Sequence, residues 1–435
     1  MGDNVTVQGA ILHHVNGVAR ILKVTCCWTI PAWFGLAGSW AHAGVAPPPL
    51  QPADGNTYDF YVADQEQYDS NIYRLPSDFG NIATLVSPNA SRSDYINTAS
   101  LGGDAQWFLG RQMFTLNARA DYNRFGNNDD LNNTSGYANL IWHWEVGSHL
   151  FGFVQADYTH ALASFAETRD FGRDLTDSEH VFGKGRYQIG PHWAVYGGAS
   201  GTNLTHNADL AKFDNFRLRE GDVGIEYATS VDDTFGFQYR YADGRFPSSN
   251  LFTINGVSFT PNFKEDNIRF ITKYVLSEKT QLDAYAGYYK RRFTETSLGA
   301  FSGDFWRVTL TWQPTEKTQL IFAGWHELHA YLVSESDYFV SKGGSISPVW
   351  NVTEKIKLDF LLSYEDQAYK SQSLAVLTLG SLSAKVATEQ VDLNYSPRSS
   401  WIFSLSVRHQ RRNANQQFFR FDDQLATAGV LYKVH

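Results

Sequence analysis

One short turn occurs three times in the second half of this chain, and it sets what the chain can fold into. It reads LSEKTQL at 276–282, PTEKTQL at 314–320 and VTEKIKL at 352–358, with Lys279, Lys317 and Lys355 at a constant interval of 38 residues. An aromatic (Tyr274, Trp312, Trp350) stands three residues before each Ser/Thr-Glu-Lys. After the turn apolar residues alternate, as in Leu282, Ala284, Ala286, Tyr288 and Ile356, Leu358, Phe360, Leu362, Tyr364. A fixed period near 40 residues marks a repeated supersecondary unit. Here the unit is strand, tight polar turn, strand, longer loop.

The same alternation extends in both directions. A first segment runs through TYDFYVADQEQYDSNIYRL at 57–75. It is followed by 93–109, 112–125, 135–147, 149–164, 176–189, 192–206, 214–230 and 233–246, then 262–276, 280–294, 300–313, 317–333, 338–351, 355–370, 375–396, 400–412 and 421–434. The count is about 18, with about 16 as the alternative. Short connections, near Gly110, Gly147, Gly190, Asp232 and the three Glu-Lys turns, alternate with longer ones at 126–134, 165–175, 207–213, 246–261 and 413–420. That arrangement predicts an all-β, antiparallel transmembrane β-barrel with short turns on one side and longer loops on the other. Along 112–125, Phe114, Leu116, Ala118, Ala120 and Tyr122 form one face, and Thr115, Asn117, Arg119, Asp121 and Asn123 the other. A charge facing lipid at mid-depth costs roughly 2–4 kcal/mol, so the charged face is the lumen. Trp142, Trp144, Tyr187, Trp193, Tyr227, Tyr274, Trp312, Trp350 and Tyr395 stand near turns and predict an interfacial girdle.

Residues 24–43 carry no charge, follow Arg20 and Lys23, and end in Ala41-His42-Ala43. This reads as a cleaved signal peptide over 1–43, a periplasmic lead-in over 44–57 and a barrel over 58–435. Cleavage removes Cys26 and Cys27, the two cysteines of the chain, so neither disulfides nor thiol chemistry are expected. With Asp3, Arg20 and Lys23 gone, the net charge moves from −9 to −10. An acidic chain argues against nucleic acid as a partner.

Two stretches carry a resemblance. Thr427, Gly429, Tyr432 and Val434 resemble the C-terminal barrel-assembly signal of outer-membrane proteins, here followed by His435. Asn71-Ile72-Tyr73-Arg74-Leu75-Pro76, with the barrel that follows, resembles the EpsL-like exopolysaccharide-biosynthesis outer-membrane barrels of exosortase (PEP-CTERM) gene clusters, within a broader group of β-barrel porins. The resemblance implies a bacterial outer-membrane barrel with both termini in the periplasm. It would act as a passive conduit or accessory for exopolysaccharide export. Its implied partners are outer-membrane lipid, the barrel-assembly machinery, an anionic polysaccharide and a periplasmic polysaccharide-export protein. A general or solute-specific porin is the alternative, and an outer-membrane hydrolase the second alternative.

The candidate path for an anionic polymer is basic. Lys290, Arg291 and Arg292 end one strand and Arg408, Arg411 and Arg412 another; Arg119, Arg240, Arg269, Lys273 and Arg307 lie on lumen faces. Rings of Arg and Lys select anions in pores. The competing reading pairs these bases with Asp121, Asp283, Glu327, Asp359 and Glu365, so that they brace the lumen. Tyr285 and Tyr289 are candidates to stack on sugar rings or to pack against neighbours. His326 and His329 fall on opposite faces of a strand, which argues against a shared metal. No nucleophile elbow, Cys/His cluster or phosphate loop occurs, so no catalytic residue, metal or cofactor is expected and the chain reads as a non-enzyme.

Overall fold

A computed structural model describes residues 55–78, 90–166, 171–229, 233–248, 253–254, 257–258, 262–294, 300–333, 336–370 and 382–434. The leader read over 1–43 with its two cysteines, the lead-in up to residue 54, most of the 246–261 loop and His435 lie outside the described residues.

The strands are β1 (Thr57–Asp69), β2 (Asp94–Leu109), β3 (Gln112–Phe125), β4 (Asn133–Val146), β5 (Leu150–Leu162), β6 (Leu175–Ile189), β7 (Trp193–His206), β8 (Phe216–Ala228) and β9 (Thr234–Arg245). A two-residue hairpin, β10 (Thr253–Ile254) and β11 (Val257–Ser258), precedes β12 (Phe263–Ser277), β13 (Thr280–Phe293), β14 (Ala300–Thr315) and β15 (Thr318–Val333). The last are β16 (Ser336–Thr353), β17 (Ile356–Lys370), β18 (Ser383–Arg398), β19 (Trp401–Ala414) and β20 (Phe421–Val434). Apart from the hairpin, all belong to one antiparallel sheet of 18 strands. The sheet closes because β1 pairs with both β2 and β20, from Phe60 opposite Val434 to Asp69 opposite Leu425. Closure leaves no edge, which a sheet in lipid requires, since an unpaired backbone group there has no water to meet.

Period-two alternation sorts the side chains. On β19, Trp401, Phe403, Leu405 and Val407 are exposed on the outside, while Gln410 and Arg412 are buried on the inside. The exposed large apolar residues recur on strand after strand, among them Phe60, Leu101, Val223, Phe237, Ile268 and Leu362. A continuous exposed apolar belt on a closed barrel is a lipid-facing surface. Trp142, Tyr187, Trp193, Tyr274, Trp312, Trp350 and Tyr395 are exposed at the short-turn end of this belt. Trp401 and Tyr432 join them, with ring centroids 4.8 Å apart. Tyr95, Tyr122, Tyr158, Tyr239 and Tyr288 mark its other margin.

The threefold turn is built the same way each time. The Ser277, Thr315 and Thr353 hydroxyl oxygens accept the amides of Lys279, Lys317 and Lys355 at 3.3, 3.3 and 3.2 Å. The carbonyl of each lysine then accepts an amide from the next hairpin, Gln313, Asn351 and Ser396, at 2.7–2.8 Å. Each turn thus closes itself and ties down its neighbour. Elsewhere on this rim Gly110, Gly147 and Gly190 take φ of 62–68°, where a side chain would strain the backbone.

Two boundaries differ from the sequence reading by more than two residues. The first strand ends at Asp69, because Asp69 and Asn71 side chains capture backbone groups that a strand would offer to its neighbours. Strand β18 begins at Ser383, and 371–381 lie outside the described residues.

Candidate functional site

The inner wall carries charge, and much of it is paired. Arg119 meets Asp121 at 2.5 Å, Arg291 meets Glu265 at 2.7 Å, and Arg307 meets Glu327 at 2.9 Å. Arg240 is ion-paired with Glu220, and Arg408 lies 3.8 Å from Asp423. Arg269 donates to the Gln238 carboxamide, and its Nη1 is buried without a hydrogen bond. Lys273 stands opposite Asp283 in the register. Arg412 donates to the Ala166 carbonyl at 2.9 Å and to the Tyr369 hydroxyl at 2.8 Å. Asp121 and Glu327 thus brace Arg119 and Arg307, whereas Asp359 meets Lys357 at 2.9 Å and Glu365 accepts from Gln367 at 3.1 Å instead of pairing with the candidate bases.

Sequence reasoning passed over another part of this wall. The Lys184 ammonium lies 4.1 Å above the Tyr196 ring, and Arg186 meets Glu226 at 2.7 Å. Lys184 and Arg186 share the inward parity of β6, so the alternation that exposed Arg119 exposes them too. Buried pairs contribute little net stability, but removing one partner costs about 3–5 kcal/mol. The wall thus presents alternating donors and acceptors held in fixed geometry.

Lys290 and Arg292 do not line the path. They are exposed on the outer face of β13, as Arg411 is on β19, while Arg291 between them is 5% exposed on the inside. Consecutive strand residues point to opposite faces, so a Lys-Arg-Arg run cannot act as one cluster. Tyr285 and Tyr289 pack on Phe305, with centroids 6.0 Å away in both cases, and Tyr285 donates its hydroxyl to Glu327. They are wall packing. His326 faces outward, 3.4 Å from Asp304, and no His/Cys/Asp/Glu group among the described residues forms a metal cage. The His329 side chain lies outside the description.

At the long-loop end four connections converge into a cap. Its hub is the stretch after β1. The Asn71 carboxamide donates to the carbonyls of Leu75 (2.7 Å) and Asp422 (3.1 Å) and accepts the Leu75 amide (3.0 Å). Arg74 grips both Asp69 carboxylate oxygens at 2.9 Å and reaches Asp423 at 3.1 Å. Burial opposes the Arg74 charge, and the two carboxylates overcome it, raising its pKa. Ile72, Tyr73 and Leu75 form an apolar core with Ile96, Phe125, Leu131 and Phe165. Phe418 packs on this core and on a second one, Phe339, Tyr369, Ala384, Ala414 and Phe419. Because Ala166 belongs to the β5–β6 connection and Arg412 to β19, their hydrogen bond joins parts of the rim that are not neighbours in the sheet. Most of the long connection at 246–261 lies outside the described residues; the cap described here is made by other loops.

Residues 272–434 match the family described as "Putative beta-barrel porin 2". No curated protein matches the chain. Among solved structures it is similar to OccK2 (OpdF) of Pseudomonas aeruginosa, solved in complex with glucuronate, at 10% identity and a TM-score of 0.46, covering 87% of this chain and 98% of that one. A BenF-like porin of Pseudomonas fluorescens Pf-5 gives 10% identity and 0.46 over 87% and 99%. The siderophore receptor PirA of P. aeruginosa gives 8% and 0.41 over 89% and 81%. At these values neither residue roles nor cargo carries over to this chain.

Proposed function

We propose that this porin-like outer-membrane barrel is a passive conduit or accessory for the export of exopolysaccharide. One observation supports the reading above the others: Asn71–Pro76, the stretch on which the EpsL-like resemblance rests, is the hub of the cap over the long-loop mouth. A secretion path has to exclude bulk solutes while passing a polymer. A cap held by a few side chains on a rigid barrel suits that task. In this reading the short turns and both termini are periplasmic, and Thr427, Gly429, Tyr432 and Val434 address the last strand to the assembly machinery. A periplasmic export protein delivers the polymer, and synthesis supplies the energy. Deletion of the gene should abolish polymer secretion. Complementation with Asn71→Ala, which releases the hub, should restore secretion and admit bulky antibiotics as well. Normal secretion after deletion would end the export reading.

A solute-specific porin is the second reading, favoured by the family match over 272–434 and the mixed-charge wall. It predicts unchanged secretion and slowed uptake of a polar solute in the deletion strain.

A further inference from the structure

The outer face of the barrel is not electrically uniform above its apolar belt. On β8, β9, β12 and β13, six bases face outward and are exposed: Arg217, Arg219, Arg245, Lys264, Lys290 and Arg292. The register draws them together. Arg219 is opposite Asp243, Asp243 opposite Lys264, and Lys264 opposite Arg292. Arg217 is opposite Arg245, and Lys290 opposite Asp266. Two acids share the patch, and each is already engaged. Asp243 holds Arg245 at 2.7 Å; Asp266 accepts from the Tyr239 hydroxyl at 2.6 Å and pairs with Arg292. Four positive charges therefore stay uncompensated within the patch. Directly beneath lie Tyr239, Tyr241, Ile268 and Tyr288, all exposed members of the belt.

Other sectors at this height are acidic or mixed: Arg124 on β3 stands opposite Asn97, and Arg411 on β19 meets Asp422 at 2.8 Å. On β1 and β2, Asp64 and Glu66 face outward around Asn97. On β5 and β6, Tyr158 and His160 meet Asp177 beside the exposed Glu179. Arginine and lysine at the rim of a lipid belt are where anionic headgroups lie, and each contributes to holding them.

We propose that this sector is a docking site for the phosphates of an anionic lipid of the outer leaflet, seated with its acyl chains on the aromatic belt below. The proposal rests on the outer-membrane reading with the long loops outside. It gives Lys290 and Arg292 a role that their outward direction permits.

The test uses the full chain purified in detergent and titrated with bisphosphorylated lipid A and with its dephosphorylated form, bound lipid being read by native mass spectrometry. Arg219→Gln/Lys264→Gln/Lys290→Gln/Arg292→Gln should weaken binding of the phosphorylated lipid by at least about tenfold. Lys385→Gln/Arg411→Gln, on the outer face of β18 and β19, should leave it unchanged. Equal binding by wild type and the fourfold variant, or wild-type binding of the dephosphorylated lipid as tight as of the phosphorylated one, would overturn the site. So would a soluble acidic polysaccharide that displaces the lipid and loses affinity in the same variant, since that would make the patch a polymer surface. Cell fractionation of the wild type tests the outer-membrane reading separately from any of these results.

Discussion

Arg74 takes a φ of 54°, alone among the non-glycine residues described. A side chain held in that region costs roughly 1–3 kcal/mol and persists only where its surroundings over-determine it. Here they do, since Asp69 and Asp423 are 3% and 0% exposed and both grip the guanidinium. Arg74→Ala should leave the buried Asp69 carboxylate without its cation and Asp423 with only Arg408, 3.8 Å away, a local cost of about 3–5 kcal/mol, and free the cap without opening the barrel. Single-channel conductance should rise while the protein still reaches the membrane. Arg74→Lys should behave like the alanine variant, because a point charge cannot reproduce the fork that meets two carboxylates. Conductance equal to wild type in both would mean that the cap does not limit the path. Asp214 offers a second handle. It lies in the β7–β8 connection, where burial and the neighbouring Asp174 push its carboxyl up from the usual carboxylate range to about 8. The folded loop thus holds a proton that the unfolded chain gives up near pH 4, and its stability falls as pH rises from there towards 8. Amide exchange over 211–215, corrected for its intrinsic pH dependence, should speed up across that window. Asp214→Asn should remove the trend; a trend that survives would place its cause elsewhere.

The short turns give the element-scale test. Their lysines are joined by backbone bonds to the next hairpin, so four successive hairpins form one run of linked turns. A cysteine placed at Lys279, Lys317 or Lys355 should stay unlabelled by an impermeant thiol reagent on intact cells, whereas one at Asn415, between β19 and β20, should react. The reverse pattern would invert the proposed topology. Strands of this kind were legible in the sequence because period two, aromatic margins and glycine or Thr-Glu-Lys turns recur on nearly every segment. Parity, used for Arg119 and Arg307, was available for Lys290-Arg291-Arg292 as well, and applying it would have split that run between the two faces. The break at Asp69 was less accessible. The TYDFYVADQEQYD alternation continues through Ser70 and Ile72, and only the capture of backbone groups by Asp69 and Asn71 ends it. The cap was not legible at all, since its partners are as far apart as Arg412 and Ala166. Such pairings depend on where a closed sheet brings distant loops together, which no local pattern encodes.

At the scale of the whole molecule, the balance of the inner wall decides what a bilayer recording should see. A strong anion preference would need bases without counter-charges. Arg119, Arg240, Arg291 and Arg307 instead each meet a carboxylate. Arg269 differs: an amide accepts its hydrogen bond, and one guanidinium nitrogen is left without any. Arg269→Gln should therefore shift reversal potentials towards cations. Glu327→Gln, which releases Arg307, should shift them towards anions, and Arg307→Gln/Glu327→Gln together should return close to wild type. Added salt should shrink both shifts, because the screening length is about 10 Å at 0.1 M and falls further above it. Arg292→Gln should change nothing, since its side chain is on the lipid side of the wall. If Arg292→Gln moved the potential as far as Arg269→Gln, outward parity on β13 would be wrong and Lys290 and Arg292 would return to the path.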